Sequence, residues 1–553
     1  MARENSKQRS LSRRRFMQSA AAMAASGTML ASAARAAREH DSREHDSREH
    51  DSRRHDSECD GSRDLNLVNG QFLTMDADDR VVSALAIRDG RIVEERHRGS
   101  LGPCSRTINL KGATVIPGLI DSHVHYIRCG LNPGHEVRII ETATSIADMQ
   151  KMISTRIVAL PVPPNDFVTC IGGWNRNGLA EKRLPTPAEL DAAAPRNPVY
   201  LSETGGGGAA VTNASGIAFF QSRGVAVNAA TGVLNAGQGQ AALAALQTDA
   251  SKQQGTAEAM DFAASLGITM FHDHGGLSGL DPYQYALKLW REDALKVRVR
   301  PWFWSGDDSG VSVAEARIVN NFNKVGDDVW RQLGVGERIN TSTTNPLNAD
   351  AWKFAAQHGW MVTQHSLTAA EIAFHIAAYQ AAAEVGPIGA LRWSLCHVNP
   401  ITDAQIQAVK ELGIALNIQG TSYTSAGGAA PSGPPFRRLL DAGIPCGGGS
   451  DATNVAAFNP WLMMYYMTTA KNNAGVVING DQAITRLDAL KMYTKGSAYL
   501  SWDDDKLGSI EPGKLADLVV VSDDPLSVSD DKFRKLRSVL TLQAGRIVHG
   551  EAD

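Results

Sequence analysis

The sequence predicts an α/β protein, a distorted TIM (β/α)8 barrel with a small β-sandwich domain built from both chain ends. Three observations carry that prediction. Through the middle of the chain, apolar strand-like segments alternate with alanine-rich helical ones, the pattern of successive βα units. At both ends the texture changes to short alternating strands with hairpin signals such as Asn69-Gly70 and Asp89-Gly90. No G-x-G-x-x-G follows a first strand, which tells against an open doubly wound sheet.

Length and composition agree. At 553 residues the chain holds one large barrel with an accessory domain, and 43% hydrophobic against 21% charged residues describes a soluble protein with a sizeable core. A formal net charge of -4 excludes a general nucleic-acid binder. Six cysteines (Cys59, Cys104, Cys129, Cys170, Cys396, Cys446) are scattered without CxxC spacing. They read mostly as buried thiols, with an occasional disulfide permitted in an oxidising compartment.

Taken in order, residues 1–36 read as a signal peptide. Ser12-Arg13-Arg14-Arg15-Phe16-Met17-Gln18 resembles the twin-arginine export motif and precedes a mild alanine-rich run from Ala20 to Ala34 with A-x-A sites. That run is too short and too mild for a stable membrane anchor. The resemblance implies a bacterial protein that meets the twin-arginine export machinery, crosses already folded and works in the periplasm or outside the cell. Residues 37–60 carry Arg38-Glu39-His40-Asp41-Ser42 and its near-repeats, too polar to bury a core, and are expected to be a solvated linker.

Residues 61–117 and 505–553 are the two parts of the expected sandwich. The barrel occupies 118–504, with an insertion at about 131–235. Its strand candidates after Val115 to His125 are Val199–Ser202, Gly267–His272, Val299–Trp304, Trp360–His365, Trp393–His397, Ile414–Ile418 and Pro445–Asp451. Helical composition fills Thr256 to Leu266 and Ala369 to Val385.

Polar residues gather at the carboxyl ends of these strands, where barrels place their sites. In Asp121-Ser122-His123-Val124-His125, strand alternation points Asp121, His123 and His125 to one side. His365, His397 and Asp451 end later strands. Four imidazoles and a carboxylate suit zinc or a similar divalent ion, one or two per chain, which supplies activated water near neutral pH. Asp451 would take the proton from that water and pass it to the leaving group.

These motifs, with the tail Leu507 to Val520, resemble the amidohydrolase superfamily, and within it the family-3 branch of N-substituted formamide deformylase-like enzymes. The resemblance implies that His123, His125, His365, His397 and Asp451 are metal ligands and that Asp451 is also the catalytic base. Where many relatives carry a bridging carboxylated lysine, this chain has Leu333 to Asn340 without lysine, and Glu337 is the candidate bridging ligand. Where relatives place Asp-Gly-His against substrate, it has Thr204-Gly205-Gly206-Gly207-Gly208-Ala209-Ala210, either a backbone approach to ligand or a flexible loop. A second HxH, His272-Asp273-His274, holds Asp273, which matches the family's strand-end acid, and Trp174 matches a segment near the pocket. Asp273 and Trp174 are thus expected to bind substrate, and His272 and His274 to support the ligands or line the pocket rather than hold the metal.

The expected function is metal-dependent hydrolysis of a non-peptide C–N bond in a small amide or formamide, by metal-activated water. The alternatives are a deaminase or cyclic amidohydrolase on the same scaffold, because fold does not fix substrate, or a non-catalytic exported metal-binding protein. The partners expected are a small-molecule substrate, the export machinery and, as an open alternative, further copies of the chain in a homo-oligomer.

Overall fold

A computed structural model describes residues 64–94, 104–204, 209–275, 283–303, 311–339, 342–424, 433–453 and 455–551. The expected leader, the repeat linker and the Gly205 to Gly208 segment lie outside the described residues.

The N-terminal part contributes β1 (Leu65–Leu73), β2 (Val81–Arg88), β3 (Arg91–Glu94), β4 (Arg106–Asn109) and β5 (Thr114–Pro117). Asp89 and Gly90, at φ of 50° and 76°, make the tight turn expected of them, with Arg88 opposite Arg91. Asn69-Gly70 makes no such turn. It lies inside β1 where the register with β2 shifts between Val68 and Phe72, a bulge that uses the left-handed Asn69 at φ 55°. The actual connection runs over Thr74 to Arg80, closed by the Thr74 N–H donating to the Arg80 carbonyl.

Next come β6 (Leu119–Val124) and an insertion with β7 (Val168–Ile171), β8 (Val199–Ser202), β9 (Ala210–Thr212) and β10 (Val233–Leu234). The Val199–Ser202 strand was expected in the barrel, but it pairs with β7 and β9 in a separate four-stranded sheet. That sheet has apolar cores of its own, built from residues such as Val168, Cys170, Leu190, Leu201 and Val211, and Tyr200, Phe220 and Leu246. The chain then gives β11 (Ile268–Asp273), β12 (Arg298–Pro301), β13 (Thr363–Ser366), β14 (Ser394–His397), β15 (Ala415–Gln419) and β16 (Cys446–Gly449), and ends with β17 (Leu518–Val521), β18 (Ser538–Gln543) and β19 (Arg546–His549).

Parallel pairings run β6–β11–β12 and β13–β14–β15–β16. Between the two sets stands the segment Leu333 to Glu337, irregular and attached by bridges from Val335 to Phe303 and to Val362. The succession returns to its start where the Asp451 N–H donates to the His123 carbonyl at 2.7 Å. A Cβ on Gly449 would come within 2.6 Å of the His123 backbone nitrogen, so only glycine permits this approach. Most strand residues here are buried on both faces, as parallel strands covered by helices must be. The expected helices form between them. Asp249–Leu266 starts on the Thr248 cap and stops at Gly267, and Ala369–Ala383 starts on a Thr368/Glu371 capping box.

Both chain ends join in one eight-stranded sheet, ordered β19-β18-β17-β5-β1-β2-β3 with β4 paired to β1. Leu67, Phe72 and Ile87 from one end share a core with Leu518, Val520 and Leu542 from the other. Of the described cysteines, Cys129, Cys170, Cys396 and Cys446 are buried free thiols and Cys104 is disulfide-bonded.

The seam between this sheet and the parallel strands is charged. Arg298 on β12 donates to both oxygens of Asp517, at 2.8 and 2.9 Å, and both side chains are 2% exposed. Removing one partner of such a pair strands the other charge in the interior, at a cost of about 3–5 kcal/mol. Asp517→Ala is therefore expected to destabilise the fold by that amount, read as a drop in the urea midpoint, whereas a change below about 1 kcal/mol would show the pair to be dispensable.

Burial also holds imidazoles neutral: His375 is pushed down to about 4 and His272 to about 3. Such groups bind protons only on unfolding, so their contribution is present above the ordinary histidine value and lost as pH falls toward the folded one. For His375 the loss between pH 7 and pH 5 is about 2 kcal/mol, and His375→Gln is expected to flatten the stability curve by that much across this window. Urea midpoints measured at the two pH values check it.

Candidate metal centre

Six side chains converge at the carboxyl ends of the parallel strands. His123 lies on β6 and is fully buried, and His125 follows just beyond it at 4% exposure. His365 stands on β13, and His397 ends β14 in the left-handed region at φ 68°. Asp451 follows β16, also left-handed at φ 60°. Glu337 comes from the irregular segment after Val335 and is 6% exposed.

Glu337 occupies the middle of the group. Its Oε2 lies 3.3 Å from His123 Nε2, 3.2 Å from His365 Nδ1 and 3.8 Å from His397 Nε2, and its Oε1 is 3.7 Å from His125 Nε2. Asp451 Oδ1 lies 3.1 Å from His125 Nε2 and 3.6 Å from His123 Nε2. His397 Nε2 is 3.0 Å from His365 Nδ1. Two donors of a tetrahedral ion, each about 2.0–2.2 Å from it, stand about 3.3–3.6 Å apart. The observed separations are those of a coordination shell. His123 Nε2, which faces both carboxylates, is buried without a hydrogen-bond partner, a costly state for a neutral imidazole and an ordinary one for a ligand atom. The residues present therefore fit a divalent cation. Three donor sets meet at His123: with His125 and Asp451, with Glu337 and His397, and with His274 and Cys396.

The electrostatics follow from this crowding. Burial would raise the Glu337 carboxyl, but the adjoining imidazoles of His123, His365 and His397 hold it well below the usual range. Burial opposes ionisation of Asp451 too, yet the bond to His125 and the nearby imidazoles bring it to about 2. His123 is pushed down by burial despite Glu337. His125 is raised, because Asp451 and Glu337 outweigh its burial and Arg128. Both carboxylates are thus ionised and the set is ready for a cation.

Neighbouring groups orient the donors. His125 Nδ1 lies 2.9 Å from the Gly275 carbonyl, so it carries the proton and leaves Nε2 free to face Asp451. The Asp273 carboxylate accepts from the Gly275 N–H at 2.7 Å and the Ile127 N–H at 2.8 Å. Asp121 accepts from the Ser450 hydroxyl and the backbone N–H groups of Ser450 and His123. Burial pushes its carboxyl up to about 7 against these three bonds.

His123, His125, His365, His397, Asp451 and Glu337, all named from the sequence, are brought together. Two others are not. Asp273 was expected to face substrate, but it is fully buried and both oxygens are taken by backbone N–H groups, so it braces the chain on either side of His125. Trp174 was expected to bind substrate, but it packs in the core of the insertion with Leu179 and Leu190, its carbonyl accepting from the Thr204 N–H. His274 stacks on His123, ring centroids 3.9 Å apart and planes 18° from parallel, with Nε2 on the Ser122 carbonyl. Burial holds the Cys396 thiol protonated and its Sγ lies 3.2 Å from Thr363 Oγ1, which makes the set with Cys396 the poorest of the three and leaves His274 as support for the His123 ring. His272 is fully buried and neither ring nitrogen has a partner. Asp121 was placed on the correct side of its strand from the sequence but given no role, and its position two residues before the first histidine was the available signal.

The insertion closes over two of the strand-end loops. The fully buried Glu141 side chain accepts from the N–H groups of Phe458 and Asn459, in the loop after Asp451, and pairs with Arg138. Asn175 donates to the Thr424 carbonyl in the loop after β15 and accepts from Asn473, beyond the helix Pro460–Thr469.

Over 549 residues the chain is 23% identical to the N-substituted formamide deformylase of Arthrobacter pascens, covering 87% of this chain and 98% of that one. Its fold is similar to an uncharacterised metal-dependent hydrolase from Pyrococcus horikoshii OT3, with a TM-score of 0.57 at 19% identity over 84% of this chain and 99% of that one. It is also similar to atrazine chlorohydrolase TrzN from Arthrobacter aurescens TC1 complexed with zinc, with a TM-score of 0.52 at 16% identity over 87% and 94%. The profile of the amidohydrolase family Amidohydro_3 matches residues 106–549, and the chain belongs to that family.

Proposed function

We propose that this chain is an exported metal-dependent hydrolase that cleaves a non-peptide C–N bond in a small amide or formamide. The observation that carries the reading is the convergence of four histidines with two ionised carboxylates at coordination-shell distances. The formamide deformylase relative, matched over nearly its whole length, supports the bond type. The zinc-bound TrzN structure, similar in fold, supports zinc as the divalent ion. The parallel strands, with the irregular Leu333 to Glu337 segment taken as the fourth, read as a distorted (β/α)8 barrel, and the mixed sheet from both ends as its accessory domain.

When bound, a divalent ion supplies activated water at neutral pH and polarises the scissile carbonyl. The protein's own groups do the rest. His123, His125 and Asp451 would hold one position and His365 and His397 the other, with Glu337 between them as the bridge. Gly275 and Asp273 keep the His125 ring oriented. Asp451, ionised and 13% exposed at its side chain, is the acceptor for the proton of the attacking water and returns it to the departing nitrogen.

Export is part of the proposal. The leader-like residues 1–36 motivate it, the disulfide at Cys104 suits an oxidising compartment, and no described helix is long and apolar enough to cross a membrane.

Two outcomes are expected. Asp451→Asn should lower kcat by about 10²–10⁴-fold on any formamide or amide that the wild type hydrolyses, and turnover left intact would exclude the proton-transfer role. Elemental analysis of the wild type should give two divalent ions per chain, falling to one or fewer in Glu337→Ala. A wild-type content near one would reject Glu337 as a bridge.

A further inference from the structure

Asp451 is held in an uncommon backbone conformation. At φ 60° it sits in the left-handed region, which costs a residue with a Cβ about 1–2 kcal/mol and persists only where the surroundings over-determine it. Those surroundings are specific. The Asp451 N–H donates to the His123 carbonyl at 2.7 Å and the His125 N–H donates to the Ala452 carbonyl at 3.2 Å, so the backbone around Asp451 is tied directly to the two histidines. These bonds fix the chain path. They leave open the angle at which residue 451 presents its side chain.

Asp121 and Ser450 hold the residues on either side of Asp451. Asp121 is fully buried and faces three donors. Its Oδ1 accepts from the Ser450 N–H at 3.0 Å and the His123 N–H at 3.2 Å, while its Oδ2 accepts from the Ser450 hydroxyl at 2.6 Å. The same hydroxyl accepts in turn from the Ala452 N–H at 3.2 Å. One carboxylate therefore grips the residue before Asp451 twice, reaches the residue after it through a single hydroxyl, and is anchored on the N–H of His123. With the Ser450 hydroxyl donating to Asp121, its oxygen keeps lone pairs for the Ala452 N–H.

We propose that Asp121 and Ser450 form a positioning clasp that sets the Asp451 carboxylate against His123 and His125. Asp121 touches neither substrate nor ion on this account, and it acts through Ser450. The inference rests on the proposed role of Asp451. It assigns work to Asp121, which lies 329 positions before Ser450 in the chain, and to a serine outside the donor set.

The test uses the whole folded protein loaded with Co²⁺, whose visible spectrum reports the arrangement of its ligands, together with hydrolysis of N-(4-nitrophenyl)formamide followed by release of 4-nitroaniline. Asp121→Asn, Ser450→Ala and Asp451→Asn are compared with the wild type for Co²⁺ content, visible spectrum, Tm, kcat and KM. The clasp predicts that Asp121→Asn and Ser450→Ala keep Co²⁺ content, shift the visible bands toward those of Asp451→Asn, and lower kcat by about 10- to 100-fold with KM within about twofold, the signature of a misplaced group. Ser450→Ala removes one oxygen, so it remains informative if Asp121→Asn folds poorly. An unchanged spectrum in Ser450→Ala, beside a clear change in Asp451→Asn, overturns the clasp and leaves the hydrolase reading intact. No change in Asp451→Asn itself overturns both the role of Asp451 and the clasp that depends on it. If the wild type does not hydrolyse this formamide, the spectra alone decide.

Discussion

Two ionised carboxylates buried among four imidazoles are the constraint on which the rest of the structure turns. Charge in a protein interior is tolerated only when it is paired or coordinated, and Glu337 and Asp451 meet the histidines around them at pairing distance. The donors reach the cluster from β6, β13, β14, the end of β16 and the irregular segment near Val335. No short stretch of chain can assemble them. The site exists because the parallel strands return on themselves where Asp451 meets His123, and it would disperse if that junction opened.

The scaffold serves this convergence from two sides. Below, buried charge pairs fasten the parallel strands to segments that arrive late in the chain: Arg298 with Asp517, and Arg300 with Asp503, each pair at most 2% exposed. Their desolvation makes them poor sources of net stability but strict specifiers of which segments meet. Above, Glu141 and Asn175 of the insertion bind the loops that follow β15 and β16, so the region least legible in the sequence also fixes the loops around Asp451. The braces around the donors have one character. Asp273, Asp121 and the Gly275 carbonyl each hold backbone or ring protons so that a lone pair or a carboxylate faces inward.

Much of this was readable before any coordinates. Strand alternation sufficed to pair His123 with His125, and the position of His365, His397 and Asp451 at strand ends sufficed to unite them. Glu337 is marked by standing in the segment where many relatives carry a bridging lysine. Other readings failed for physical reasons. A buried strand such as Val199–Ser202 looks the same in either of two sheets, because burial on both faces removes the alternation that marks direction. Asn69-Gly70 suits a bulge as well as a turn, since both use a left-handed residue. Asp273 and Trp174 were located by motif, and a motif does not say which way a side chain points. Asp121 had its partner 329 residues away, beyond any local pattern.

The central claim is that these six side chains are one coordination shell. X-ray diffraction from crystals of the zinc-loaded protein, collected on both sides of the zinc absorption edge, tests it most directly. The account predicts anomalous density among His123, His125, His365, His397, Glu337 and Asp451, with donor atoms about 2.0–2.2 Å from each peak. Edge-specific density located elsewhere, or none between these side chains in fully loaded crystals, would contradict it.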